Sequence, residues 1–227
     1  MNAVPALQGT GAARRARLSS ARLHLVAGPE TGGEGWVRAT QAALASGAVD
    51  VLQVRMKQAD DKACIAVVRE ARAWCDAVGA LLVVDDRVAL AAAAGADGAH
   101  VGEHDITPAL ARLLLGPDRL LGLSTHGPDE VRAAGSLPVD YLGLGPFFPT
   151  GSKALERTPG GATLAQASLA GAGARPVFAI GGIEASRLPA LVDAGVRRVA
   201  VGQAVLRAPD PGKAARALAA LLPALPG

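Results

Sequence analysis

Short apolar runs alternate with amphipathic stretches along almost the whole chain. Runs at 22–27, 49–55, 81–85, 98–102, 120–124, 139–144, 176–180 and 198–201 are rich in Val, Leu and Ala, which predicts strands. Between and after them, 36–46, 60–78, 88–94, 108–115, 128–134, 163–169, 185–194 and 211–222 predict helices. Stop and start signals agree: Gly47 closes the first helix, Gly79 stands just past the second, and Pro128 opens another. Strands such as Leu81-Leu82-Val83-Val84 are apolar at every position, the mark of parallel strands buried on both faces.

Strand–helix units in this number and spacing allow right-handed crossovers and give an α/β fold. Two architectures compete, an open doubly wound sheet and a closed barrel. The open sheet usually carries a glycine fingerprint after its first strand. Here Ala27-Gly28-Pro29-Glu30 follows the first strand, and the polar signals lie at the ends of later ones. The chain therefore predicts a single (β/α)8 TIM barrel over residues 21–227. The similar pieces at 94–98 and 194–198 fit helix ends turning into barrel strands. Residues 1–20 include Arg14, Arg15 and Arg17, show no periodicity, and predict a flexible N-terminal extension. They have no apolar core before a cleavage site, so they are not read as a secretory signal.

At 227 residues and 50% hydrophobic content the chain builds one substantial core, and with only 3% aromatics that core is mostly Ala, Val and Leu. A net charge of +3, scattered rather than clustered, argues against a nucleic-acid partner. No uninterrupted apolar run is long enough to span a membrane. Cys64 and Cys75 lie about three turns apart on one helix, too far for a disulfide, and fit buried thiols in a reducing cytoplasm.

In a TIM barrel the active site forms at the C-terminal ends of the strands, and reactive residues collect there. Gln53, Arg55 and Lys57 alternate after the second strand and project to one side, an arrangement suited to an anion. Asp85 and Asp86 end the third strand, and Gly102-Glu103-His104-Asp105 follows the fourth. These carboxylates either pair with the cations or hold a hard cation such as magnesium that bridges to phosphate oxygens, and the second reading fits a phosphate site better. After the sixth strand, the loop at 143–153 holds two glycines and two prolines before it delivers Thr150, Gly151, Ser152 and Lys153. Hydroxyls, an ammonium and outward N–H groups suit phosphate oxygens. Gly181-Gly182 and Val201-Gly202 follow strands seven and eight, where barrels often grip a phosphate by backbone, a second anion site. His100 and His104 straddle a strand end and a loop, which speaks against a zinc pair; His126 is a candidate acid or base, and His24 a packing residue.

Taken in order and spacing, these motifs resemble the thiamine-phosphate synthase family from about Arg22 to the last helix. The matching pieces are Gln53-Val54-Arg55-Met56-Lys57, Asp85-Asp86-Arg87-Val88, Gly102-Glu103-His104-Asp105, the Gly122-to-His126 turn, the 143–153 loop and Ile180-Gly181-Gly182-Ile183. The resemblance implies joining of an aminopyrimidine methyl diphosphate to a thiazole phosphate, with release of pyrophosphate. It implies magnesium on Asp86 and Asp105, and Gln53, Arg55, Lys57, Ser124 and Lys153 on the pyrimidine diphosphate, with Val54, Met56 and Asp85 beside them. Of these, Arg55, Lys57, Ser124 and Lys153 are the catalytic candidates. Thr150, Gly151 and Ser152 are implied on the thiazole side, with Gly182, Val201 and Gly202 gripping its phosphate. The chain departs from the family pattern at Asp85 (usually Asn), Glu103 (usually Gln), Met56 (usually acidic) and Ser152 (usually Thr). Two alternatives stay open: the related thiazole tautomerase, with a histidine at the His126 position, and a catalytically silent phosphate-binding barrel. The sequence admits a homo-oligomer and does not fix one.

Overall fold

The computed structural model of the protein describes residues 10–149 and 158–225. Parallel strands close into a barrel in chain order. They are β1 (Leu23–Ala27), β2 (Val51–Val54), β3 (Leu81–Asp85), β4 (Gly98–Val101), β5 (Leu120–Thr125), β6 (Tyr141–Leu144), β7 (Val177–Ile180) and β8 (Val199–Val201). β8 pairs back onto β1 through His24 and Ala200, so no sheet edge remains. Outside lie α3 (Trp36–Ala45), α4 (Asp61–Val78), α5 (Val88–Ala93), α6 (Pro108–Leu115), α7 (Pro128–Ala133), α8 (Gly161–Ser168), α9 (Leu188–Asp193) and α11 (Pro211–Leu221). The TIM barrel expected from the sequence is the fold. Two short helices escaped the pattern, α2 (Pro29–Gly32) and α10 (Gln203–Leu206), because one turn is too short to show a period.

Successive strand residues face opposite sides, and this divides the core into two layers. Leu25, Leu52, Val84 and Leu121 pack outward against the helices. Val26, Val51, Val83, Leu120, Tyr141, Phe178 and Ala200 fill the barrel interior. With both faces buried, no strand position favours a polar residue until the C-terminal rim. The large rings inside need small neighbours. A Cβ on Gly122 would lie 2.2 Å from Tyr141 Cζ and 2.4 Å from His100 Nδ1, so β5 carries glycine there.

The opposite rim is held by a repeated device. Asp50, Asp97 and Asp140 each stand one residue before an even-numbered strand. Each accepts the backbone N–H of the neighbouring odd-numbered strand, from Leu23 (2.9 Å), Leu82 (2.9 Å) and Leu121 (2.8 Å). Before β8 the corresponding residue is Arg198, which donates to the carbonyls of Ala21 (3.1 Å) and Ser19 (2.8 Å).

The flexible extension expected over 1–20 is corrected for its described part. Residues 11–20 form α1 (Gly11–Ser20), with Thr10 capping Ala13 N–H. Leu18 joins the inner cluster beside Val51, Leu81 and Leu120, the first residues of their strands, so α1 closes the barrel floor. Arg14 is 1% exposed, and its Nε donates to Asp97 at 3.0 Å, while Arg72 of α4 reaches the same carboxylate at 2.7 Å. Buried charge rather than an apolar stripe docks this helix, and periodicity cannot register that.

Cys64 and Cys75 are both free and buried on α4. Burial pushes the Cys75 thiol up to about 12, so it stays protonated and inert. Among the described residues no helix is long and apolar enough to cross a membrane.

Candidate active site

The C-terminal rim opens into a cavity of about 650 Å³. Gln53, Arg55 and Lys57 all line it, as their alternation predicts, together with Asp85, Asp86, Asp105, Ser124, His126, Gly182, Val201 and Gly202. Val54 and Met56 do not. Val54 is 1% exposed in the layer beneath the helices, and Met56 packs against that layer, so their side chains face the core and leave only their backbone to a ligand. Thr150, Gly151, Ser152 and Lys153 lie outside the described residues.

Asp86 sits at the turn that leaves β3, with a φ of 60°, a left-handed conformation that Asp tolerates better than most residues. Its backbone N–H donates to the His100 carbonyl at 2.8 Å, and Lys57 Nζ lies 2.6 Å from its Oδ2. Asp105 accepts the Gly102 N–H at 2.7 Å. The two carboxyls also share a hydrogen bond with each other. Burial works to raise Asp86, but the hydrogen bonds from Lys57 and Asp105 and the nearby cations outweigh it and hold this carboxyl below its ordinary value. Burial and the neighbouring Asp86 push Asp105 the other way, above its ordinary value. Two carboxyls placed side by side at this rim are the residues that could hold a divalent cation.

Arg55 and Asp85 form a buried ion pair at 3.1 Å, and Gln53 Nε2 donates to the other Asp85 oxygen at 2.5 Å. The Arg55 Nε–H does not aim at Asp85 Oδ2, and Nε and Nη1 have no hydrogen-bond partner among the described residues. Buried guanidinium donors without acceptors are costly unless a ligand completes them. Arg87 braces the approach: its guanidinium donates to the Ala59 carbonyl and to Met56 O at 3.3 Å, and pairs with Asp61 at 3.0 Å. Glu30, which the sequence did not single out, accepts the Lys57 N–H at 3.0 Å.

Below the rim, His100 bridges Ser124 Oγ (3.0 Å) and Tyr141 Oη (3.2 Å). Both ring nitrogens of His100 are thus engaged inside the barrel, while His104 lies in the loop after β4. His24 packs edge-on against Phe178 with ring centroids 5.3 Å apart, as expected of a packing residue. Burial lowers its pKa to about 3, so it is neutral at physiological pH. His126 Nδ1 lies 2.9 Å from Glu130 Oε2 at the start of α7.

Across the cavity, Gly181 and Gly182 turn the chain out of β7 with φ of 102° and 60°. A Cβ on Gly182 would lie 2.4 Å from Pro149 O, and one on Gly181 2.8 Å from Pro146 Cα, so only glycine fits. A thiamine monophosphate synthase family description matches residues 23–205. The chain belongs to the thiamine monophosphate synthase family. A Synechococcus relative named thiamine-phosphate synthase is 44% identical over 92% of this chain, which spans 57% of that longer protein. A Mycobacterium tuberculosis relative of the same name is 41% identical over 92% of this chain and 97% of its own length. Among solved structures, the thiamine phosphate pyrophosphorylase of Pyrococcus furiosus superposes with a TM-score of 0.78 at 29% identity, covering 91% of this chain and 96% of that one.

Within this chain the Asp85 departure now has a partner. The extra charge is set against Arg55, which it holds in place and partly neutralises. Asp85→Asn keeps an acceptor for Gln53 and frees the guanidinium. If this rim binds a diphosphate, the change is expected to lower the KM for it about tenfold, ~1.4 kcal/mol. A weaker magnesium dependence instead would put Asp85 in the metal's shell; no change in either quantity would mean that its carboxylate does not face the diphosphate.

Proposed function

We propose that the protein couples 4-amino-2-methyl-5-(diphosphooxymethyl)pyrimidine to a thiazole phosphate in a magnesium-dependent reaction, giving thiamine phosphate and pyrophosphate. One observation carries the reading: a carboxylate pair and two cations, Arg55 and Lys57, share one rim of a cavity whose far side is a glycine-only turn. A diphosphate fits the first rim and a monophosphate the second.

Magnesium, held by Asp86 and Asp105, would supply positive charge to the diphosphate oxygens. Arg55 directs unpartnered N–H groups to the same anion, and Lys57 exchanges part of its bond to Asp86 for the growing charge. The C–O bond breaks with its electron pair leaving on pyrophosphate. These cations therefore stabilise the transition state more than the substrate. The pyrimidine amino group spreads the positive charge left on the methylene, and the thiazole nitrogen lone pair forms the new C–N bond. No proton moves and no protein nucleophile is used. His24, Tyr141 and Phe178 form a ring-lined floor beneath this rim.

The test compares Lys153 with His126. Charge neutralisation at a leaving pyrophosphate is worth roughly 10²–10³ in rate, so Lys153→Ala should cripple coupling by that factor. His126→Ala should cost coupling much less, because the reaction transfers no proton and the imidazole is engaged with Glu130. The opposite pattern, with His126 essential for isomerising a thiazole carboxylate phosphate and Lys153 dispensable, would make the protein a tautomerase.

A further inference from the structure

The glycine turn after β7 is fastened from behind by Arg187, a side chain outside the cavity. Its Nη1 donates to the Gly182 carbonyl at 2.7 Å, and its guanidinium carbon lies 4.9 Å from the centroid of the Phe148 ring. Phe148 belongs to the segment that leaves β6. That segment is already zipped to the turn by Phe147 N–H to Ile180 O and Phe148 N–H to Gly181 O, both at 3.0 Å. Pro149 has no N–H to continue the ladder, and Arg187 supplies the next link with its side chain.

The consequence follows from peptide geometry. In a planar trans peptide the carbonyl and the following N–H point in opposite directions. A bond that holds the Gly182 carbonyl therefore fixes the direction of the Ile183 N–H. Gly182 and Ile183 line the cavity and Arg187 does not, so the guanidinium draws the carbonyl outward and leaves the N–H facing in. Two successive glycines at positive φ give this stretch little stiffness of its own. The guanidinium charge also sits behind the turn, where it adds to the attraction for an anion.

We propose that Arg187 is a positioning residue for the phosphate of the thiazole half, orienting the Gly182–Ile183 peptide toward it and tying that peptide to Phe148. The inference rests on the reading of the glycine turn as the monophosphate site. Arg187→Met keeps the aliphatic stem and removes donor and charge. It should raise the KM for thiazole phosphate about tenfold, the loss of one hydrogen bond from a charged donor. Inorganic phosphate, used as a competitor against thiazole phosphate, should weaken by the same factor. The KM for the pyrimidine diphosphate and kcat should stay within about twofold, since the other rim is untouched. Arg187→Lys, which keeps the charge and a donor but not the planar stack, should restore most of the loss and guards against a fold defect in the methionine variant. An unchanged thiazole-phosphate KM, equal rises in both KM values, or a failure of lysine to rescue would overturn the role of Arg187. If inorganic phosphate failed to compete with thiazole phosphate in the wild-type protein, the phosphate site itself would be misplaced, and the inference would fall with it.

Discussion

Replacing either carboxylate of the rim pair, as Asp86→Asn or Asp105→Ala, is expected to lower coupling by about 10²–10³ or more while the barrel stays folded. Asparagine is the better replacement at Asp86, because its φ of 60° suits Asn and strains alanine. The two carboxyls share a hydrogen bond, with Asp86 held low by Lys57 against its burial and Asp105 raised by burial and by Asp86. Asp86→Asn also gives up the partly exposed pair with Lys57, so the protein without substrate should lose at most about 1 kcal/mol. On the proposed mechanism, what would disappear is the seat for a divalent ion beside the departing pyrophosphate. Turnover against magnesium concentration, alongside a thermal melt, separates the two effects. Wild-type turnover in both variants would take the metal away from these residues.

The largest stability loss should come from Asp97→Ala, far from the chemistry. This carboxylate is 2% exposed and receives Arg14, Arg72 and the Leu82 N–H. Arg72 has a second partner in Asp76 at 2.7 Å, but Arg14 has no other ion pair among the described residues. Removing one side of a buried pair strands a charge and typically costs about 3–5 kcal/mol. Denaturant unfolding should show a loss of that size, with α1 loosened because Arg14 is its buried charged anchor. A loss below about 1 kcal/mol, the size seen for exposed pairs, would mean that α1 is held by Leu18 rather than by charge.

The barrel was legible in the sequence because its strands are buried on both faces and several helices carry a glycine just past the end or a proline at the start. Those are local signals. α1 was not legible, since its ten residues carry three arginines and dock through partners in β-strand and helix ends far along the chain. The strand-end residues were legible for the same reason as the fold. Alternation after β2 separates Gln53, Arg55 and Lys57, whose side chains line the cavity, from Val54 and Met56, whose side chains pack toward the helices. The pairing of Asp85 with Arg55 depends on the neighbouring positions of β2 and β3, which only the closed sheet reveals. Glu30 and Arg187 act on backbone groups of other loops, and no spacing rule points to such contacts.

The most direct measurement incubates the purified protein with both phosphorylated halves, with and without magnesium, and follows thiamine phosphate and pyrophosphate together. The account predicts that both products appear in equal amounts, that neither forms when either half is omitted, and that chelating the magnesium stops both. Binding of the two halves without product in the presence of magnesium, or full turnover after chelation, would contradict it.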